Sequence, residues 1–519
     1  MHWADVIAYR FDRDAEQVIA TGITPSGPIH IGNMREVLTA DAVYRAAKDL
    51  GIKARFIYIA DDFDPLRKVY PFLPDHYEKY IGMPLSEIPC PCGGHRSYAD
   101  HYLSSFLQSL KELGIKPEVY RASEMYIKGE YRDLICISLE NSGRIKKIME
   151  EVSGRALPKD WLPFNIKCEN CGRLTSSKAL LYEYPMIEYE CDCGYQGEID
   201  IRKGGVGKLP WRVDWPARWK LFGVTFEPFG KDHAAAGGSW DTGKRISKEI
   251  FNYPPPMHVV YEFIQLKGKG AMHSSKGTAV SAEEMLRMTP PEVLRFLIMK
   301  NKPSKHIDFD PGIGILDLVD EYDKEERMYF GEEKAERGIK DLKRTYELSQ
   351  PYEIPDKLPI QVPYRHLVTV VQITRKWEEI KKILIRNGQI PEELDKRDEE
   401  RLKKRVENVL YWLDRFAPEK VKFEVKKELP KVSITKDQLN ALKVLENILA
   451  NIEWTPENLH DAIYKCAEKS GTNAKDIFSA VYLIILGQKH GPRLGYFLAL
   501  LGKDFVMDRL REAIKYSTS

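Results

Sequence analysis

The strongest constraint on the fold is a βαβ pattern near the start of the chain. Residues 17–23 (QVIATGI) form an apolar run that ends in a Thr-Pro-Ser-Gly loop, and residues 31–50 then follow helical periodicity. Residues 54–60 (ARFIYIA) are a second candidate for a buried strand. This order predicts an α/β fold with a Rossmann-like, doubly wound parallel sheet, whose ligand binds at the carboxyl ends of the strands.

The remaining patterns divide the expected sheet into two halves. Between about residues 85 and 205, helical patterns are interrupted by cysteine pairs; strand candidates return at 225–229 and 257–266, and none is convincing after residue 285. Helical spacing continues to the end of the chain. We predict an α/β core formed by residues 1–85 and 205–320, an insertion at 86–204, and an all-α C-terminal domain at 321–519.

Charge and hydropathy limit the function classes. The 519 residues carry 79 Lys+Arg against 77 Asp+Glu, a net charge of +2, which excludes a bulk polybasic nucleic-acid coat but leaves local basic surfaces open. The N-terminus has charged residues where a signal peptide needs an apolar core, and no run approaches 18 uncharged apolar residues. We expect a cytoplasmic protein without a membrane partner.

Six of the eight cysteines fall into close pairs, which indicates metal ligation in a large chain without a secretion signal. One candidate site, of zinc-ribbon form and structural type, contains Cys168, Cys171, Cys191 and Cys193. A second candidate site contains Cys90, Cys92, His95 and His101, although His101 can instead be a surface helix residue with Asp100 as the rival ligand. The sequence therefore predicts one or two structural Zn²⁺ ions in the insertion.

The first chemical motif is T-G-I-T-P-S-G-P-I-H-I-G-N, at residues 21–33. Gly27 and Gly32 allow a ligand to approach the backbone, the following helix offers N–H groups and a positive dipole end, and His30 and Asn33 are donors one turn apart. This pattern suits ATP phosphates. An ordinary Gly/Pro turn with a capping Asn is the alternative interpretation.

The second motif is M-H-S-S-K-G-T, at residues 272–278. A Gly/Ser loop that carries one lysine, Lys276, can close over triphosphate oxygens and neutralise the charge of leaving pyrophosphate. On its own it would more often be a solvated surface loop.

Together and in this order, the two motifs resemble the "HIGH" and "KMSKS" signatures of class I aminoacyl-tRNA synthetases. The resemblance implies ATP as a substrate with Mg²⁺, and a tRNA partner; Asn33 and His273 depart from the usual residues. It implies His30, Asn33 and Lys276 as catalytic residues. The ATP-binding residues that it implies are Pro25, Ser26, His30, Gly32, Asn33, Gly230, Asp232, Ser274, Ser275 and Lys276.

The segment D-D-F-D-P-L-R, at residues 61–67, is similar to a segment of glutamyl-tRNA synthetases in which the first acidic residue holds the substrate's α-ammonium, which implies this role for Asp61. Glutamyl enzymes also place an arginine where this chain has Gly22, and a buried substrate carboxylate without its cation would cost several kcal/mol. The chain instead resembles class I lysyl-tRNA synthetases, the form common in archaea. This resemblance rests on Trp3-Ala4, on G-P-R-L-G at 491–495 and on the combined motifs.

That resemblance implies ATP-dependent attachment of L-lysine to tRNA(Lys) through an adenylate, without an obligate protein partner. The aromatic wall and polar groups expected for lysine are Gly22, Asp61, Trp211, Asp214, His233 and Tyr261, although the aromatic residues fit a core equally well. The alternatives are a class I synthetase of glutamyl, tryptophanyl or tyrosyl type, and a catalytically inactive zinc-containing RNA-binding protein.

The family's helical C-terminal domain binds the anticodon. The helix expected at 401–416 carries Lys403, Lys404, Arg405 and Trp412, which can present a basic, aromatic face to unstacked bases or be an ordinary solvated face.

Overall fold

The computed structural model of the chain describes residues 1–268, 270–271, 280–334 and 338–516. They form two compact units. The first comprises Met1–Leu286, Pro291–Asp310 and Lys324–Ile354, and the second comprises Arg287–Pro290, Pro311–Asp323 and Pro355–Ser519. Among the described helices, none is long and apolar enough to cross a membrane.

The strands are β1 (Gln17–Ile23), β2 (Ala54–Ala60), β3 (Glu118–Arg121), β4 (Asn165–Ile166), β5 (Ser177–Glu183), β6 (Met186–Cys191), β7 (Gln196–Asp200), β8 (Gly207–Lys208), β9 (Phe226–Gly230), β10 (Met257–Tyr261), β11 (Ile264–Leu266), β12 (Gly270–Ala271) and β13 (Ile307–Phe309).

The helices up to residue 330 are α1 (Trp3–Ala8), α2 (Ile31–Asp49), α3 (Tyr98–Glu112), α4 (Ala122–Lys128), α5 (Arg132–Glu140), α6 (Ser142–Ser153), α7 (Trp211–Phe222), α8 (Lys231–Ala234), α9 (Ser239–Glu249), α10 (Ala282–Met288), α11 (Pro291–Met299) and α12 (Gly314–Phe330). They are followed by α13 (Ile339–Ser349), α14 (Tyr364–Ile373), α15 (Trp377–Arg386), α16 (Lys396–Arg415), α17 (Lys436–Ala450), α18 (Pro456–Ser470), α19 (Ala474–Leu486), α20 (Leu494–Leu501) and α21 (Lys503–Tyr516).

The first unit is built on a parallel five-stranded sheet with the order β10-β9-β1-β2-β3. The chain begins at the central strand, winds outward through β2 and β3, and returns to β9 and β10 on the other side of β1. This topology confirms the doubly wound sheet. The order reverses between β1 and β9, and ligands of such sheets bind at the carboxyl ends beside this reversal.

Apolar packing holds the sheet in place. Val18 and Ile57 pack against Trp215 and Trp219 of α7, while α2 crosses β1 and β2. β1 and β2 are buried along most of their length, so their sequences are almost continuously apolar, and both strands could be predicted from this pattern.

The region from 85 to 205 contains strands that sequence periodicity missed. β3 joins the central sheet, and β5, β6 and β7 form a separate antiparallel sheet. The expectation of no strand after residue 285 was also wrong, since β13 pairs with β11. β3 and β13 are too short to give a period-two signal, and β5 is half exposed.

The second unit is helical: in the described part of residues 355–519 no strand occurs, which confirms the all-α C-terminal region. Two residues that were expected on an RNA-facing side of α16 lie instead in the interior of the second unit. Trp412 is fully buried and donates its indole N–H to the Pro311 carbonyl over 2.9 Å, and Arg405 is 1% exposed and ion-paired with Asp323. Lys403 and Lys404 remain exposed.

Candidate active site and metal centres

A cavity of about 610 Å³ lies in the first unit at the carboxyl ends of the parallel strands. The residues around it follow the ends of β1, β2, β9 and β10 and the start of α2. It gathers most of the residues proposed from the sequence: Gly22, His30, Gly32, Asn33, Asp61, Trp211, Asp232, His233 and Tyr261.

Four of the sequence-proposed residues are placed differently. Ser26 lines an adjoining cavity of about 220 Å³, which shares His30 and Asn33 with the larger one. Pro25 is buried next to it. Gly230 ends β9 just before Asp232. Asp214, a residue of α7, does not line either cavity and is fully buried.

The first motif forms the turn from β1 into α2. His30 is the last extended residue before the helix, and Asn33 donates its backbone N–H to the His30 carbonyl over 2.9 Å. Gly32 is needed here, because a Cβ atom at this position would lie 2.7 Å from the His30 imidazole. The motif therefore presents an imidazole, an amide and a helix N-terminus to one cavity wall, an arrangement suited to anionic groups.

The second motif is attached to the first through the residues on its flanks. The N–H of Ile31 donates to the Val280 carbonyl over 3.2 Å, and the N–H of Ala282 donates to the Ile29 carbonyl over 2.9 Å. Ser274, Ser275 and Lys276 lie outside the described residues. The chain nevertheless emerges from that segment directly beside His30.

A buried ion-pair cluster lies under the cavity floor. Arg218 of α7 donates from its Nη1 to Asp61 over 2.9 Å and from its Nε to Asp214 over 2.9 Å, and Tyr126 donates its hydroxyl to Asp214 over 2.5 Å. Burial raises the pKa of Asp61 to about 6, although the Arg218 guanidinium opposes this shift. Arg218 was not singled out from the sequence, where it stands 157 residues from Asp61.

Asp64, on the same segment as Asp61, has its own cation. It accepts from the ammonium of Lys208 over 2.5 Å and from the Thr24 hydroxyl over 2.8 Å. Burial alone would raise its pKa, but the Lys208 charge holds the pKa of Asp64 below its usual value.

Glu36 is a cavity residue that the sequence analysis missed. It lies on α2 one turn after Asn33, and its carboxylate accepts from the Thr21 hydroxyl over 2.6 Å, the Gly22 N–H over 3.1 Å and the Tyr261 hydroxyl over 2.9 Å. No lysine or arginine of the described chain is within ion-pair distance of it. Burial raises the pKa of Glu36 to about 7, against the lowering effect of these hydrogen bonds.

Aromatic rings form part of the cavity wall. The indole of Trp211 stacks on Trp215, with ring centroids 5.4 Å apart, and the His233 imidazole lies 5.9 Å from the Trp211 ring. Burial lowers the pKa of His233, which favours the neutral form of this imidazole. Asp232 beside it is largely exposed.

The first cysteine cluster has the geometry of a tetrahedral metal site. The Sγ atoms of Cys168 and Cys193 are 3.7 Å apart, as are those of Cys171 and Cys191, and all four lie within 4.8 Å of one another. Four sulfurs about 2.3 Å from a zinc ion would be about 3.8 Å apart. The spacing is too long for disulfides and fits four thiolates around one ion.

The side chains of the second cluster also bring their sulfur and nitrogen atoms close together. The Sγ atoms of Cys90 and Cys92 are 3.3 Å apart, and the Nδ1 atoms of His95 and His101 lie 3.3 Å apart and within 3.6 Å of both sulfurs. Asp100 points elsewhere and accepts from Arg121 over 2.6 Å. Of the two rivals, His101 rather than Asp100 completes a set that can hold a metal ion.

Comparison with known proteins agrees with this geometry. A family model described as "tRNA synthetases class I (K)" matches residues 1–352, and a model of an anticodon binding domain matches residues 398–514. Proteins named "Lysine--tRNA ligase" are similar over nearly their whole length. That of Methanocaldococcus jannaschii is 47% identical (98% of this chain, 99% of the relative), that of Methanosarcina barkeri 46% (100% and 98%), and that of Picrophilus torridus 44% (98% and 98%).

The parallel sheet, the two linked motifs and these matches lead to one conclusion: the chain belongs to the family of class I tRNA synthetases described by that model.

Proposed function

We propose that this chain attaches L-lysine to tRNA(Lys) in an ATP-dependent reaction that passes through lysyl-adenylate. Family membership supports the reaction class, and the names of its relatives support the amino acid. The cavity supplies an independent argument for lysine.

The observation that carries the proposal is the Glu36 carboxylate, which lines the cavity and has no lysine or arginine of the described residues within ion-pair distance. Its three donors, Thr21, Gly22 and Tyr261, are all neutral. A buried carboxylate is costly unless it is paired, and an ammonium group inside the cavity would pair it. A substrate with a cationic side chain therefore fits this end of the cavity, and the Trp211 ring offers an apolar wall for its aliphatic stem.

The same geometry argues against glutamate. A Cβ atom at Gly22 would lie 3.2 Å from the Ile59 carbonyl oxygen and 3.4 Å from Arg218, so a larger residue has little room. Arg218 is the guanidinium nearest to Gly22 in the described chain, and both Asp61 and Asp214 already neutralise it. A substrate side-chain carboxylate beside Gly22 would meet the Glu36 carboxylate, while Arg67, the arginine that lines the cavity, is an exposed residue.

In the proposed first step, a carboxylate oxygen of lysine attacks the α-phosphorus of ATP. The bond from that phosphorus to the bridging oxygen breaks, and pyrophosphate leaves. His30, Asn33 and the N-terminus of α2 hold the phosphates, and Lys276 neutralises the leaving group. Mg²⁺, when bound, would screen charge on the phosphate oxygens.

In the second step the 2′-hydroxyl of the terminal tRNA ribose attacks the lysyl carbonyl carbon, its proton is lost, and AMP leaves. Positioning and electrostatics supply the catalysis, without a protein nucleophile. For the α-ammonium, Asp61 is the proposed partner, shared with Arg218.

We further propose Zn²⁺ at both clusters, where it would stabilise the fold of the insertion. Residues 1–85 and 205–320 would form the catalytic core, 86–204 the acceptor-stem side and 321–519 the anticodon-binding domain. The reduced thiolates that both clusters need fit the cytoplasm.

Amino-acid-dependent ATP–pyrophosphate exchange, run with and without tRNA, tests the proposal. We expect exchange with lysine and not with glutamate, tryptophan or tyrosine. Exchange with one of those three but not lysine would identify another specificity, and no exchange under either condition would identify an inactive RNA-binding protein.

A further inference from the structure

A small cavity of about 280 Å³ lies within the second unit and shares no lining residue with the site described above. We call it the loop cavity, because one wall is the loop of residues 488–492 that joins α19 to α20. A second wall is α14, and a third is the extended stretch of residues 420–423. The G-P-R-L-G segment noted in the sequence begins in this loop, and the proposed function gave it no role.

The interior of the loop cavity is apolar. Leu316 and Val368 form a buried floor. The half-buried Phe423 ring contributes an aromatic surface, and it meets Phe497 edge-on at 5.4 Å, so its position is fixed by packing. A planar, apolar ligand can stack on such a surface.

Hydrogen bonds hold the second and third walls in register. Gln372 of α14 accepts from the Phe423 N–H over 2.8 Å and donates to the Val421 carbonyl over 3.3 Å. This single amide thereby ties α14 to the stretch that carries the aromatic ring.

The loop wall is also held in place. A Cβ atom at Gly491 would lie 2.6 Å from the Tyr482 ring, so only glycine allows this approach, and the Tyr482 hydroxyl donates to the Pro492 carbonyl. The loop cavity is therefore preformed.

Charged and polar side chains also line the loop cavity, among them Arg365, which is ion-paired with Asp317 and Asp320. Lys420 is exposed and makes no ion pair with any described residue, whereas Lys422 pairs with Glu419 over 2.8 Å. Gln488 is an exposed lining residue whose amide nitrogen donates to the His490 carbonyl over 2.9 Å. An apolar, aromatic interior below an unpaired ammonium suits a heterocyclic base that carries a phosphate.

We infer that the loop cavity takes one unstacked base of the tRNA anticodon loop, with the base against Phe423 and its phosphate near Lys420. The inference rests on the proposed function for its RNA partner. Binding pockets for drug-sized molecules begin at about 300 Å³, so 280 Å³ suits a single base. The match to an anticodon binding domain covers residues 398–514, whereas two residues of the cavity floor and walls, Leu316 and Gln372, lie outside that range.

Three single variants of the full-length enzyme test the inference: Lys420→Ala removes the unpaired lining charge, Gln488→Ala removes the lining amide, and Phe423→Leu removes the ring but keeps an apolar side chain. Lys443→Ala on α17 is the matched control, because Lys443 is an exposed lysine of the same unit that does not line the loop cavity. KM for tRNA, KM for lysine and kcat are measured in aminoacylation, first with unmodified tRNA(Lys) and then with transcripts substituted at one anticodon-loop base at a time.

We expect Phe423→Leu and Lys420→Ala to raise KM for tRNA about ten-fold, Gln488→Ala to raise it less, and Lys443→Ala to leave it unchanged. KM for lysine and kcat stay at wild-type values. At one position of the loop, base substitution penalises the wild type but no longer penalises Phe423→Leu.

An unchanged KM for tRNA in Phe423→Leu and Lys420→Ala would overturn the inference, as would an equal rise in Lys443→Ala. Failure of the proposed function would look different, since the wild type would then not charge tRNA with lysine at all.

Discussion

Replacing Glu36 with glutamine removes one negative charge from the active-site cavity and keeps the shape of the side chain. The hydrogen bond from the Gly22 N–H can persist, and the hydroxyls of Thr21 and Tyr261 can reorient. Removing one partner of a buried charge pair costs about 2–5 kcal/mol. At about 1.4 kcal/mol per ten-fold, we expect KM for lysine to rise by a factor of at least about 30.

The same substitution should weaken lysine binding but increase the stability of the fold. A rise in the pKa of Glu36 from 4.5 to about 7 corresponds to at most about 3 kcal/mol of stability. Because the folded state holds this proton more tightly, the cost is absent below pH 4.5, grows as the pH rises, and is complete above pH 7. Without lysine, Glu36→Gln should therefore be more stable than the wild type at pH 8 and nearly equal to it at pH 4.5.

Thermal unfolding at pH 8, with and without saturating lysine, separates the two effects. Lysine at 100 times its Kd should stabilise the wild type by about 2.7 kcal/mol and barely stabilise Glu36→Gln. Asp232→Asn is the matched control, because it removes a charge from the same cavity at an exposed position; it should leave KM for lysine unchanged. Wild-type lysine affinity in Glu36→Gln would refute the assignment of Glu36 to the ammonium group.

Four further results are expected. In the wild type, KM for lysine should rise about ten-fold from pH 8 to pH 6, because the Glu36 pKa near 7 means that the carboxylate must lose its proton to bind an ammonium; a flat pH profile would contradict this. Lys276→Ala should lower the rate of tRNA-supported pyrophosphate exchange at least ten-fold with KM for lysine unchanged, and an unchanged rate would remove this lysine from the mechanism. Arg218→Met leaves Asp61 and Asp214 buried without their shared cation. In denaturant unfolding this variant should be about 3–5 kcal/mol less stable in the first unit. Wild-type stability would show that this arginine does not hold the cluster together. Cys171→Ser should reduce the zinc content, measured by atomic emission, by one ion per chain, and equal zinc content in both proteins would exclude a site at this cluster.

The sequence predicted the βαβ unit well, because β1 and β2 are continuous apolar runs separated by one loop and one helix. It also predicted the positions of the cysteine clusters, whose ligands lie close together along the chain. Both features are encoded locally.

The roles of Glu36 and Arg218 could not be predicted from the sequence, because they depend on residues that are distant along the chain. Arg218 acts through Asp61, 157 positions away, and Glu36 meets Tyr261, 225 positions away. A signal for Glu36 did exist, since it stands one turn after Asn33 and therefore shares that face of α2. Arg405 shows the reverse error, because an amphipathic pattern cannot distinguish a cation facing solvent from one paired with Asp323 in the interior.

The most direct test of the proposed lysine specificity is the charging of tRNA itself. The purified chain is incubated with ATP, Mg²⁺, tRNA(Lys) and each of lysine, glutamate, tryptophan and tyrosine in turn, and the terminal nucleoside is then released and identified by mass. We predict lysyl-adenosine from the lysine reaction alone, in an amount equal to the acceptor ends supplied. Glutamyl-adenosine, or unacylated adenosine in every reaction, would contradict the account.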